Sequence, residues 1–402
     1  MKILIVTQYF YPENFKSNDL AFELQKRGHE VSVLTGLPNY PEGNIYPGYG
    51  FFKKSDRKIN GVKVFRTWLF PRGRGGGVRL FLNYFSWAIL ASVRAFFLSF
   101  NNKFDAVIVH EPSPITQGFP AIVIKKMQKI PMYFWVLDLW PESLVSGGIS
   151  NSKIISLFTK IVRFIYDRSD KILISSKGFE KSILEKGNYA DKLIYFPNWA
   201  EDTISEGDIH HVIPDLPKGF KVIFAGNIGI SQDMENLMNA AIELREHTKI
   251  KIILIGDGRS KDFVASFIRD NKLQETVFLL GKFPIEAMSA FFNQSDALLV
   301  CLKSEDVFNI TVPAKIQAYM SASKPILAMM NGEGSQVIEE AKCGLSAPAG
   351  NFKKLSEIIF TMSELDKNTR DLMGKNGYLY YKKNYTLQSC IDNLEHILKK
   401  SL

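Results

Sequence analysis

The polar residues best placed for chemistry stand directly behind short apolar runs. QYFYPENFKSND (8–19), with Glu13, Asn14 and Asn18, follows ILIVT. His110 and Glu111 end AVIVH and open HEPSPIT (110–116). Asp138 and Glu142 lie in WVLDLWPES (135–143) behind MYFWV, where Pro141 stops the strand from continuing. Polar side chains at the carboxyl ends of neighbouring strands converge on one rim. Any one of these clusters reads as a cap or a loop; the three together read as a site. There is no G-x-G-x-x-G after the first strand, which weakens a dinucleotide oxidoreductase.

A second set is rich in glycine. FAGNIGISQ (224–232) offers Gly226, Asn227, Gly229 and Gln232, IGDGRSK (255–261) offers Arg259, and NITVPAKIQAYMSASKP (309–325) offers Thr311, Lys315 and Gln317. Each glycine turn follows a strand and precedes a helix. The unpaired amides of a helix start, with the positive end of its dipole, hold phosphate oxygens. Pro313 suits the first turn, where its missing N–H costs nothing. Lys315 is the odd residue there: a cation in the first turn opposes the dipole by about 0.3–1 kcal/mol, and a bound diphosphate would reverse that sign. The plainer reading is a solvated surface lysine. No D-x-D triplet, no His pair at i, i+4 and no C-x-x-C occurs. A dedicated metal site is therefore not expected, and a departing diphosphate would rest on amides and basic side chains.

The elements that must position these residues alternate. ILIVT, VSVL, VKVFR, AVIVH, MYFWV, KILIS and KLIYF read as strands, with helical stretches at 13–28, 114–128, 152–168 and 177–187. The pattern pauses over 197–219, which carries three prolines, and restarts with FKVIFAG, KIILIG, VFLLG, ALLVCL and PILAM before a long amphipathic run over about 367–400. Short apolar strands separated by helices predict parallel sheets, hence two α/β halves of doubly wound type with a cleft between them. A chain of 402 residues suits two such domains, and 46% hydrophobic with 23% charged residues excludes a disordered chain. Three scattered cysteines give no disulfide framework, and the opening apolar run is too short for a signal-peptide core; the expected place is the cytoplasm.

The net charge of +9 is concentrated. Eleven Lys or Arg and one acid lie between Lys53 and Lys103, so the remainder sums to −1. Within that span the basic turn PRGRGGGVR is followed by a 14-residue uncharged stretch, LFLNYFSWAILASV, bracketed by Arg79 and Arg94. That is shorter than the ~20 residues of a membrane span. The expectation is a helix lying on an anionic membrane surface through Arg72, Arg74, Arg79, Arg94 and Trp87. A core helix with a basic edge is the alternative.

Taken in order, these segments resemble the family 4 glycosyltransferases of the GT-B fold. MKILIVTQYFYPE with LAFELQKRGHEVSVLTG looks like that family's start, YFPNW (195–199) like the end of its first domain, and FAGNIG, ILIGDG, VFLLG, SDALLV and KIQAYMSASKPIL like its second. GLPNYP (36–41), DLWPES, GNIGISQ and VPAKIQAYM are most similar to the WbuB-like branch, associated with L-fucosamine or related N-acetylhexosamine transfer in O-antigen and capsule assembly. The resemblance implies an acceptor domain over 1–198, a linker over 199–219, a nucleotide-sugar domain over 220–376, and a helix over 377–402 returning to the first domain. It implies retaining transfer from a UDP-sugar to a lipid-diphosphate-linked acceptor on the cytoplasmic leaflet of the inner membrane, with the leaving diphosphate as base and no cofactor. Asp138, His110 and Glu111 would then line the sugar, Glu13, Asn14, Asn18 and Glu142 the acceptor, and the second set the donor. The family's pair of Glu falls on Ile310 and Ala318, and its Arg and Lys fall near Asn227 and Gln232, so Gln317, Lys315 and Arg259 must take over. Two rivals share the architecture: a UDP-N-acetylhexosamine 2-epimerase, and a non-catalytic nucleotide-sugar-binding partner of another transferase. No nucleic-acid-binding motif accompanies the basic span.

Overall fold

The computed structural model describes residues 1–50, 53, 57–73, 76–200 and 213–401. The chain divides into two compact units, one of Met1–Ser175, Phe179–Phe196 and Ile391–Leu402, the other of Ser176–Gly178 and Pro197–Cys390.

The first unit is built on β1 (Lys2–Val6), β2 (Glu30–Gly36), β3 (Arg57–Ile59), β4 (Val62–Thr67), β5 (Ala106–Glu111), β6 (Met132–Val136), β7 (Lys171–Ile174) and β8 (Leu193–Tyr195). They lie in the order β3-β4-β2-β1-β5-β6-β7-β8, parallel except for the β3–β4 pair. The central strands are buried along their length, as the apolar runs require. The strand order reverses at β1, between β2 and β5, so the ends of β1 and β5 border the crevice where doubly wound sheets take ligands.

Helix α1 (Lys16–Lys26) follows β1, α2 (Gly77–Asn101) follows β4, and α3 (Gly118–Gln128) follows β5. The sequence places helix ends at Arg79 and Arg94, but both lie inside α2, which is 25 residues long. Among the described residues α2 is the one helix long and apolar enough to cross a membrane by length and composition alone. One side of it is already taken. Asn83, Trp87, Ala88, Ala91, Ala95 and Leu98 are buried, and the alanines let α3 approach closely. Trp87 is thus a core residue, fully buried beside Gly36, and not a membrane contact. The opposite side exposes Phe81, Leu82, Ile89, Val93, Phe96, Phe97 and Phe100. Arg74 lies outside the described residues.

The second unit is all parallel, with β9 (Phe220–Ala225), β10 (Ile250–Ile255), β11 (Val277–Gly281), β12 (Ala297–Cys301), β13 (Ile326–Met329) and β14 (Gly344–Ala347) in the order β11-β10-β9-β12-β13-β14. Its reversal lies between β9 and β12. The long amphipathic run at the end is two helices, Lys367–Asn384 and Leu387–Ser401. The sequence starts the returning segment at 377. Gly377 abuts Cys343, and Tyr381 and Tyr385 belong to the second core, so only Ile391 onward groups with the first unit. There Asp392 and Glu395 meet Arg27 at 2.5 and 3.8 Å.

Candidate active site

In the first unit, β5 delivers His110 and Glu111 to the rim, and Asp138 follows the end of the adjacent β6. His110 is buried. Its Nδ1 lies 3.4 Å from the Thr7 hydroxyl, its ring meets Trp135 edge to face, and burial holds its pKa down to about 3. The imidazole is therefore neutral, and its buried Nε2 has no hydrogen-bond partner among the described residues. Burial, reinforced by the Asp138 carboxylate, pushes the Glu111 pKa well above its ordinary value. The Asp138 and Leu137 amides lie near the Glu111 carboxyl without completing bonds of ordinary geometry. Burial also raises Asp138, partly offset by the Ser143 and Ser113 hydroxyls. Two coupled acids and one neutral base thus share the rim, a combination that favours polar contacts to neutral hydroxyls over ion pairing.

Of the four residues assigned to the acceptor side, three have side chains already engaged within the first unit. The Glu13 carboxylate accepts from the Phe10, Asn39 and Tyr40 amides at 3.3, 2.9 and 2.8 Å, and burial still raises its pKa to about 7. Asn18 accepts from the Tyr11 amide at 2.8 Å and donates to the Glu13 carbonyl at 2.7 Å. Both side chains are spent on holding their loop. Glu142 is bound by Lys186 at 2.6 Å and Ser182 at 2.7 Å, which outweigh its burial and keep its pKa low. Only Asn14 is exposed.

Sequence reasoning passed over a buried amide network beneath this rim. The Gln8 amide donates to Gln117 Oε1 at 2.6 Å, Gln8 Nε2 donates to Asn83 Oδ1 at 2.6 Å, and Asn83 Nδ2 reaches Asn39 Oδ1 at 3.3 Å. Arg66, also buried, donates to the Gly36 and Tyr11 carbonyls. Gln8 lies two residues past the end of β1, which is the one signal that marks it; Asn83 sits within a helix in an apolar stretch and carries none.

In the second unit, glycine turns lie against each other. A Cβ on Gly256 would fall 1.8 Å from the Gly226 carbonyl oxygen, and one on Gly258 would fall 2.4 Å from that of Ile228, so neither turn admits a side chain there. Asn227 folds its amide over Gly229 and Gly258. Pro313 is the N-cap of the helix Ala314–Ser321, one residue ahead of the first turn that the sequence assigned to it. Lys315 reaches from this helix to the first glycine turn. Its Nζ lies 3.8 Å from the Phe224 ring centroid and 3.3 Å from Gln232 Oε1, beside Gly226. Burial lowers its pKa to about 8. Gly226, Gln232 and Lys315 are thus brought together as the sequence predicts. Gln317 is not with them. Two residues on along a helix, its side chain turns to the other side and donates to the Asn198 carbonyl at 3.2 Å. Arg259 is exposed on the loop after β10, and Thr311 precedes the Lys315 helix. Among the described residues no group of three or more His, Cys, Asp or Glu gathers to hold a metal ion.

The same two-unit arrangement is found in known proteins. Residues 17–199 match the glycosyl transferase 4-like domain and residues 208–380 match the glycosyl transferases group 1 domain. The probable glycosyltransferase WbjE of Pseudomonas aeruginosa is 31% identical over 245 residues, which take in 58% of this chain and 60% of WbjE. The putative colanic acid biosynthesis glycosyl transferase WcaI of Escherichia coli is 24% identical, over 79% of this chain and 80% of WcaI. Among solved structures, Anabaena HepE in complex with UDP superposes with a TM-score of 0.66, at 14% identity, over the whole of both chains. The two parallel-sheet units and this likeness establish the GT-B fold. Matched in both halves and in order, the chain belongs to the glycosyltransferases assembled from a 4-like domain and a group 1 domain.

Proposed function

We propose that this protein is a retaining, metal-independent glycosyltransferase of the WbuB-like branch. It moves an N-acetylated hexosamine, of the 6-deoxy L-fucosamine kind among others, from a UDP-sugar to a lipid-diphosphate-linked precursor of O-antigen or capsule polysaccharide. It works on the cytoplasmic face of the inner membrane, held there peripherally by the outer side of α2. The kinship with WbjE and WcaI and the UDP held by HepE support the setting and the donor class.

The observation that carries the reading is Lys315. Its ammonium is drawn back onto an aromatic face beside a glycine turn, with its pKa lowered to about 8 and no carboxylate paired with it among the described residues. A desolvated cation left in that state is completed by an anion, and the open glycine turn beside it leaves room for a diphosphate. In the reaction, Lys315, beside the turn of Gly226 and Gly229, takes up the charge that develops on the leaving diphosphate. Neutral His110, Asp138 and Glu111, whose carboxyl burial pushes toward the neutral form, hydrogen-bond sugar hydroxyls. The acceptor hydroxyl attacks the face from which the diphosphate departs, and a diphosphate oxygen takes its proton.

A panel of UDP-N-acetylhexosamines, including 6-deoxy L-sugars, offered with a short lipid-diphosphate acceptor tests this. Transfer with the anomeric configuration kept, read by NMR of the product, is expected. A changed sugar nucleotide formed without acceptor would replace the reading with an epimerase, and nucleotide binding with no turnover on any pair would leave a binding partner.

A further inference from the structure

We propose that Tyr40, Arg72 and Arg79 of the first unit form the subsite that receives the sugar and diphosphate of the lipid-borne acceptor, with the lipid chain lying along the outer side of α2. The assignment rests on the transferase reading above and adds where the acceptor sits.

Two loops contribute to the subsite, and described residues of each are pinned. The Gly73 amide donates to the Gly43 carbonyl at 2.9 Å, joining the loop after β4 to the loop after β2. The Glu13 carboxylate takes the Asn39 and Tyr40 amides, and Asn39 Oδ1 takes Asn83 Nδ2 at 3.3 Å and the Arg72 amide at 3.5 Å. A site on fixed backbone loses less entropy when a ligand arrives.

The side chains offered there are of two kinds. The Tyr40 ring packs on Tyr9 and Phe15, with centroids 5.8 and 5.3 Å away, yet stays 39% exposed. The Arg72 guanidinium lies over that ring, 4.9 Å from its centroid, and covers one face of it. The part of the ring left exposed and the guanidinium above it suit a pyranose, whose C–H groups pack on the aromatic edge while its hydroxyls bond to the cation. Arg79 comes back over the neighbouring residue, close enough that a Cβ on Gly73 would fall 2.3 Å from its Nη1. Neither arginine forms an ion pair among the described residues. Two unpaired guanidinium groups match a diphosphate.

The next residues along the chain define the rest of the ligand. Gly76, Gly77, Val78 and Arg79 border a recess open to solvent. Beyond it the exposed apolar side chains of α2 run on from Phe81 to Phe100. Cations at one end of a long apolar strip fit a hydrocarbon chain ending in a diphosphate, and a free nucleotide has no use for the strip.

The full chain is titrated by calorimetry with farnesyl diphosphate, farnesol, pyrophosphate and UDP, and with N-acetylglucosaminyl-diphosphoryl farnesol. Farnesyl diphosphate is expected to bind at least tenfold more tightly than farnesol or pyrophosphate. Arg72→Ala and Arg79→Glu should each cut that affinity at least tenfold and leave UDP affinity unchanged. Tyr40→Ala should weaken the sugar-bearing ligand alone, and Tyr40→Phe should restore it. Arg79 is exposed, so Arg79→Glu tests the point even where another variant folds poorly. Equal binding of farnesol and its diphosphate, or an unchanged affinity in Arg79→Glu, overturns the subsite. Pyrophosphate binding as tightly as farnesyl diphosphate removes the lipid from it. Failure of wild-type protein to bind UDP strikes the transferase reading instead, so the two failures are told apart.

Discussion

Lys315 shows what a residue-level conflict in the sequence can mean. A lysine in a first helical turn is unfavourable by its own element, and here burial adds to the cost by lowering its pKa to about 8. Because the folded-state pKa lies below the ordinary lysine value, the charged form opposes folding at all pH below 8, and the opposition fades as pH rises from about 8 toward 10.5. Lys315→Met is therefore expected to raise the melting temperature at pH 7, by a stabilisation on the order of 1–3 kcal/mol, while weakening UDP binding at least tenfold. In the wild type, UDP affinity should fall as pH passes 8, since only the ammonium binds diphosphate. Calorimetry and thermal melts at pH 6.5, 8 and 9.5 check both. The place of Lys315 beside the Gly226 turn was legible because its residue type contradicts its position in the helix. The role of Glu13 was not, because its partners are backbone amides of Asn39 and Tyr40, and backbone amides leave no mark on a sequence. Gln317 misled for a related reason: the right polar type, two positions along the helix, aims the wrong way.

At the scale of elements, the strands were readable because fully buried parallel strands must be apolar throughout. The ones missed are marginal to that rule. β3 is three residues at a sheet edge, and β14, GLSA, is short and only partly buried. Helix α2 was recognised by composition but misjudged in length, because Arg79 and Arg94 look like boundaries and instead project from within it. The helix carries no acid, and its exposed residues recur at helical spacing, the features on which the proposed bilayer contact rests. Phe97→Ser with Phe100→Ser should abolish co-sedimentation with phosphatidylglycerol vesicles. Both side chains are 61% exposed, so the melting temperature should stay within a degree or two. Retained vesicle binding in this double variant would free α2 of that role.

At the scale of the whole molecule, two α/β halves, their order and their family were open to reading because each depends on many residues at once. The point where the chain rejoins the first unit was not, because amphipathic helices look alike whichever core they cover. Ile391, Leu394 and Leu398 are fully buried, and Arg27 and His29 meet acids of this last segment. Removing Ile391–Leu402 should destabilise the first unit by on the order of 5 kcal/mol, at about 1.5–3 kcal/mol for each aliphatic side chain uncovered. Chemical denaturation of the truncated chain is expected to show the first unit unfolding earlier. A chelator, by contrast, should leave transfer untouched, and loss of activity restored by added magnesium would refute the metal-free mechanism.

Asn83 ties these scales together. It stands on the inner side of α2, six residues after the helix begins, and its amide holds Gln8 at the end of the central strand. A helix is a stiff rod, so α2 cannot roll to sink its outer phenylalanines deeper into anything without withdrawing Asn83 from Gln8. With buried Trp87, Ala91 and Ala95 on the same side, that bond fixes which side of the rod faces the first core and which is left to the solvent.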